Sequence, residues 1–432
     1  MSRVLAVVAL VLGAAGVARP FRPTDLSIQA VPQTADPTLA DAERSWVRGC
    51  PCEQWHANEI DANRLCLPLA RTAAAARALA IRKEVFVFSI TSDDRWKHYD
   101  WDTVTTVAWN TDKELVCHAH KKDVRVVVKH NFDAVNQLCN LTARREWIQA
   151  TYELIETNYA DGVNIDTEQP MNGKPAECLA ELVRELRNEL QRHPLTQYAQ
   201  ITFDVPWAPR GVDGRYYPWK ELADASDFLF VMAYDMRSQI YDACIAGANS
   251  PRALVQQGID EFLVTHGVPA DKLVLGLPWY GYEYECQSTG LETGGGGGDA
   301  PVVCPIPAIP FFGAPCSDAA GRQLDFAVID QLVHSEDLTV QWDEMSESPF
   351  VWRRRHTDTG LSIRSLTLTQ LWFDNVTSLE HKFQLVRAVG LRGAGVWHAD
   401  ALNYSAPVAT AANNATQRMW QALKSAVATP HE

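Results

Sequence analysis

From Glu84 onward, short apolar runs alternate with helical stretches, and this alternation confines the chain to few architectures. The runs cover about 84–90 (EVFVFSI), 103–109, 123–129 (DVRVVVK), 161–168, 199–205, 227–234, 272–278 and 392–397. Helical patterns cover an Ala-rich stretch at 69–81 and residues 143–159, 175–192 and 251–266. Strands separated by helices pair in parallel through crossovers. Eight such units spread over this length predict an α/β fold of the TIM (β/α)8 type rather than an open sheet. Residues 279–375, between the seventh and eighth strands, exceed any ordinary βα connection and form an insertion. Gly294–Gly298 within it read as a surface loop, because no strand and helix flank them as phosphate binding requires.

The fourth strand reads Asp-Gly-Val-Asn-Ile-Asp-Thr-Glu over 161–168. Val163, Ile165 and Thr167 alternate with Asn164, Asp166 and Glu168, so the three polar side chains share one face. Same-face neighbours lie roughly 6.6 Å apart, which puts two carboxyls within reach of one substrate. A neighbouring negative charge keeps one of such a pair protonated, as acid catalysis requires. A solvent-facing edge strand is the plain alternative. A calcium loop is another, but the turn glycine and distal glutamate are not at its offsets.

The octapeptide resembles the catalytic signature of the family 18 glycoside hydrolases, the chitinases and their relatives. Val231-Met232-Ala233-Tyr234-Asp235, Leu273–Tyr282 (LVLGLPWYGY), Trp372-Phe373-Asp374-Asn375 and Leu391–Trp397 (LRGAGVW) resemble the same family in the same order. Cys50-Pro51-Cys52, Thr202-Phe203-Asp204-Val205 and Pro315–Gln323 are similar to one branch of it, which acts on the chitobiose core of Asn-linked glycans. The resemblance runs from about 50 to 425 and implies a catalytic domain over 50–430, with a small α+β insertion walling one side of the cleft. It implies a retaining mechanism without an enzyme nucleophile, one of the departures from the two-carboxylate scheme. In the implied substrate-assisted mechanism Glu168 protonates the glycosidic oxygen, the substrate's 2-acetamido carbonyl attacks the anomeric carbon, and Asp166 bonds the acetamide N–H. Tyr234 orients the acetamide oxygen, and Trp397 is the floor beneath the sugar. Asn164, Asp161, Asp235, Tyr280 and Trp207 are further substrate-binding candidates, with Trp279 and Trp372 behind them. No cofactor and no metal are implied.

The chain departs from the broad family pattern at Asn164, where most members have Asp, and at Thr167, where many have an aromatic residue. The expectation is that Asn164 leaves no second aspartate for Asp166 to share a proton with. The small, glycine-rich strand-three signature is replaced by Val126-Val127-Val128-Lys129-His130.

Arg3 and the apolar run Val4–Val17, ending in small residues, predict a cleaved secretory signal over 1–18. Residues 19–49 read as a loose Pro/Ala/Thr/Asp-rich linker. Ten cysteines without any C-x-x-C pair then favour disulfides over zinc. Cys50, Cys52 and Cys66 are expected to pin the N-terminal segment, and Cys286, Cys304 and Cys316 to brace the insertion. Sequons begin at Asn140, Asn375, Asn403 and Asn414; Asn140 and Asn414 are the preferred glycan sites, because the others adjoin presumed site strands. A net charge of −14 disfavours nucleic acid and anionic membranes as partners.

Three functions compete. The branch resemblance implies a monomeric lysosomal glycosidase releasing reducing-end N-acetylglucosamine from an oligosaccharide. A secreted endo-acting chitinase would use the same residues. A chitinase-like lectin, which binds without cleaving, typically lacks the acid at the position of Glu168.

Overall fold

A computed structural model describes residues 38–56, 61–287, 303–358, 364–407 and 410–428. The signal expected at 1–18 and the linker expected up to residue 37 lie outside the described residues, as do Gly294–Gly298.

Eight parallel strands close into a barrel: β1 (Glu84–Phe88), β2 (Thr106–Ala108), β3 (Arg125–Lys129), β4 (Gly162–Ile165), β5 (Gln200–Pro206), β6 (Phe228–Met232), β7 (Leu273–Pro278) and β13 (Gly393–Trp397), with β13 seated between β7 and β1. The helices before and around the barrel include α1 (Leu39–Trp46), α2 (Glu53–His56), α3 (Ala73–Ile81), α4 (Lys113–Lys121), α5 (Leu141–Asn158), α6 (Gly173–Leu190), α7 (Trp219–Ala225), α8 (Arg252–Asp260), α10 (Val376–Val389) and α11 (Ala411–Val427). Strand alternation sorts the side chains. Val85, Val87, Val163 and Ile165 join the outer core beneath the helices, whereas Phe86, Phe88, Phe228 and Phe230 fill the barrel. The Phe230 ring explains two glycines. A Cβ at Gly276 would sit 2.2 Å from it and one at Gly395 2.6 Å, so neither position admits a side chain.

The insertion between β7 and β13 is α+β, as implied. It is an antiparallel sheet in the order β10 (Gln341–Asp343), β11 (Ser348–Asp358), β12 (Arg364–Trp372), β8 (Tyr280–Glu285), β9 (Gly321–Asp325), with α9 (Phe326–Ser335).

The linker reading for 19–49 is corrected from Thr38 on. Residues 39–46 form helix α1 (Leu39–Trp46), capped by the Thr38 side chain, and buried Trp46 donates to Cys66 O. The cysteines pair as Cys50–Cys66, Cys52–Cys117, Cys139–Cys178, Cys244–Cys316 and Cys286–Cys304. Cys52–Cys117 thus ties the N-terminal segment to α4, and Cys244–Cys316 ties the insertion to the loop after β6. Among the sequons, Asn140 and Asn414 are exposed, while Asn375 and Asn403 are half-buried.

Candidate active site

Regular pairing of β4 ends at Ile165, three residues short of the expected strand, and neighbouring loops clamp the residues beyond it. Asn131, after β3, accepts from Asp166 N (2.8 Å) and donates to Asp166 O (2.6 Å). Tyr217, after β5, donates to Thr167 O (3.1 Å) and Gln169 O (2.5 Å). Asn164, Asp166 and Glu168 therefore reach the barrel mouth along one face.

The two carboxyls occupy opposite environments. Asp166 is 9% exposed, its Oδ2 lies 3.2 Å from Lys129 Nζ, and its Oδ1 is buried without a hydrogen-bond partner. Burial, then the charge of Glu168, pushes the Asp166 carboxyl up to about 7, against the opposing pull of Lys129 and Arg215. The Glu168 side chain is half exposed and its Oε2 lies 2.8 Å from Arg215 Nη1. Arg215 also holds Asp213 at 3.0 Å, and Asp213 Oδ1 accepts from Ser238 Oγ at 3.0 Å.

Tyr234 is buried past the end of β6, its ring edge-on to Tyr280 at 5.9 Å. Asp235 accepts from Tyr280 Oη (2.5 Å) and Tyr282 Oη (3.0 Å), and burial raises its carboxyl. Trp397 closes β13 half-buried, edge-on to Phe88 (5.0 Å) and Trp109 (4.9 Å). Lys129 Nζ stands 3.5 Å from the centre of the Trp109 ring, which links this aromatic group to Asp166. Around one mouth the structure thus brings together Glu168, Asp166, Asn164, Tyr234, Asp235, Tyr280 and Trp397.

Other candidates lie elsewhere. Asp161 precedes β4, at the closed end of the barrel, where it accepts from Leu69 N (2.7 Å), Val126 N (2.8 Å) and His120 Nε2 (2.9 Å). Its position and saturated oxygens make it a brace for the barrel floor, so its assignment to substrate binding is corrected. Trp207 packs on Arg210 (5.0 Å) and borders a cavity of about 580 Å³ with Tyr216 and Tyr241, whose lining includes neither carboxyl of the pair. Trp279 is fully buried against Trp420, and Trp372 is buried in the insertion, stacked on Phe350.

The expectation about Asn164 also changes. Its Oδ1 accepts from Trp109 Nε1 (2.6 Å), and its Nδ2 donates to Thr202 Oγ1 (2.9 Å) and Asp204 Oδ1 (2.8 Å). Asp204, buried on β5, is a second aspartate beside Asp166, and burial together with the Asp166 charge holds its carboxyl well above the usual range. Thr202 and Asp204 alternate with apolar Phe203 and Val205, a signal in the sequence that marks them as inward-facing. Arg215 lies beyond β5 in a loop, where no periodicity marks it.

A parallel barrel with two acidic side chains of unlike environment at its C-terminal mouth defines a TIM-barrel glycosidase. Residues 85–401 match the family described as glycosyl hydrolases family 18. The chain belongs to that family. It is 40% identical over 345 residues to the di-N-acetylchitobiase of Rattus norvegicus, covering 79% of this chain and 88% of the relative. It is 37% identical over 392 residues to the probable di-N-acetylchitobiase 2 of Dictyostelium discoideum, covering 87% and 90%. The crystal structure of an Ostrinia furnacalis group IV chitinase in complex with allosamidin shares the fold at a TM-score of 0.62 and 18% identity, over 80% of this chain and 98% of that one.

Proposed function

We propose that this chain is a lysosomal glycosidase that hydrolyses the β-1,4 bond of the N,N'-diacetylchitobiose core of Asn-linked oligosaccharides, and of chitooligosaccharides, releasing reducing-end N-acetylglucosamine. The observation that carries the reading is the split between buried Asp166 and half-exposed Glu168 on one strand face. It acts as a monomer without a cofactor. The relatives named di-N-acetylchitobiase support the substrate class.

Glu168, facing the open cleft, donates its proton to the leaving oxygen. The substrate's acetamide oxygen closes on the anomeric carbon, and Asp166 faces the acetamide nitrogen as positive charge develops. Water then opens the ring with Glu168 as base, so configuration is retained. Arg215, 2.8 Å from Glu168, stabilises the carboxylate left between the two steps.

A second reading, an endo-acting chitinase, draws support from the cavity at Trp207, Tyr216 and Tyr241. Ser238 and Gln239 line it and also bond Asp213, the partner of Arg215. Digesting a chitooligosaccharide isotope-labelled in its reducing-end sugar separates the readings. Label appearing only in free N-acetylglucosamine supports the proposal. Label in chitobiose or longer products supports the endo-acting enzyme, and binding without products the lectin.

A further inference from the structure

Asp166 ends in a buried oxygen, Oδ1, with no hydrogen-bond partner, while a second buried aspartate lies on the neighbouring strand. The β4–β5 register pairs Asn164 with Thr202 and Ile165 with Phe203, so continuing it by one residue sets Asp166 beside Asp204. Parallel neighbours are ~4.8 Å apart, and both side chains face the barrel interior. Asn164 fixes the arrangement. With its Oδ1 taken by Trp109 Nε1, its amide must present N–H to Asp204, which holds one Asp204 oxygen at 2.8 Å.

We propose that Asp204 is a positioning residue for the reaction: it supplies from β5 the carboxylate that Asn164 does not supply from β4, and it takes up the proton Asp166 must release as the acetamide becomes positively charged. The proposal rests on the role given to Asp166 above. One proton serves the pair. Before substrate arrives it is shared between an Asp166 oxygen and an Asp204 oxygen; it passes wholly to Asp204 as charge develops, and is shared again when product leaves. The total charge of the pair does not change, so no charge has to enter from solvent.

The surroundings fit a pair that holds one proton. Asp166 and Glu168 face Asp204 from β4 and the residues after it, Lys129 from β3, and Tyr234 from beyond β6, while Arg215 reaches Asp166 from beyond β5. Two cations favour ionisation; burial and the mutual repulsion of the carboxylates oppose it. Both aspartates are accordingly raised, and carboxyls so placed cannot both ionise near neutrality.

The test compares wild type with Asp204→Asn, Asn164→Asp and the exchange Asn164→Asp/Asp204→Asn, measuring kcat and KM on diacetylchitobiose across acidic and neutral pH. Asp204→Asn should lower kcat about tenfold or more with KM little changed, and should alter the shape of the pH profile. The exchange should recover at least half of that loss on a logarithmic scale, because it restores a carboxylate to the same interior layer. A structural role alone would give neither the profile change nor the rescue. Wild-type kcat and pH profile in Asp204→Asn, or a folded exchange variant no better than it, would overturn the proposal. If Asp204→Asn does not fold, infrared spectroscopy of the wild type decides. A protonated-carboxyl band persisting at pH 6 and lost in Asp166→Asn is expected, and its absence overturns the inference. An inert Glu168→Gln beside an unaffected Asp204→Asn sinks this inference alone, whereas a fully active Glu168→Gln sinks the functional reading beneath it.

Discussion

Arg215 Nη1 lies 2.8 Å from Glu168 Oε2, at the end of a side chain that is only 5% exposed. A half-exposed glutamate would otherwise sample many rotamers. The arginine, anchored at 3.0 Å on Asp213, holds it in one place. Arg215→Met should therefore lower kcat about 10- to 100-fold, as expected when a reacting group loses its alignment. Arg215→Lys should recover only part, because an ammonium cannot hold both carboxylates in the planar geometry of a guanidinium. Steady-state kinetics on diacetylchitobiose checks both. Wild-type kcat in Arg215→Met would show that the contact plays no part in turnover.

Asp166 stores a cost that appears in stability. Its folded value stands at about 7 against an ordinary 3.8, so between those values the folded protein holds a proton that the unfolded chain has released. The stability it contributes is complete below the unfolded value and is lost as pH rises towards 7. Asp166→Asn, which cannot ionise, should remove this slope. It should exceed wild type at neutral pH by on the order of 1 kcal/mol or more, while losing most activity. Thermal melts across pH are the check, and parallel wild-type and Asp166→Asn curves would refute the account of Asp166.

The inward face of β4 was legible in the residues: Asn164, Asp166 and Glu168 alternate with Val163 and Ile165, and they point inward while the two aliphatics pack under the helices. The same parity places Asp161 with Val163 and Ile165 on the outward face. Membership of the signature hid that, and the side chain in fact meets His120 of α4. Asp204 carried the same alternation signal on its own strand, but its proximity to Asp166 depends on register, which a single strand does not encode. Arg215 and Asn131 sit in loops, where contacts follow from packing rather than from any period. Trp279 and Trp372 fall outside the mouth for a related reason: they satisfy the same apolar pattern by filling core.

The His120–Asp161 pair should make the barrel floor strongest in acid. Although burial of the imidazole opposes it, the adjoining Asp161 carboxylate raises His120 overall, and His120 together with two backbone N–H groups holds Asp161 low. The histidine's contribution is complete below 6.5 and disappears as pH rises through its higher folded value. The aspartate's is present above 3.8 and disappears as pH falls through its lower folded value. His120→Gln should cost about 3 kcal/mol or more within that window, and less above it. Denaturant unfolding at a series of pH values measures this, and a pH-independent difference would contradict it.

The central claim is that Glu168 donates the proton that breaks the glycosidic bond. Glu168→Gln keeps the shape of the side chain and removes the proton. Its kcat on diacetylchitobiose, measured alongside calorimetric binding of a chitooligosaccharide, tests the claim most directly. A fall of about 10²–10⁴-fold with binding largely retained is the predicted result. Turnover near that of wild type in the folded variant would contradict it.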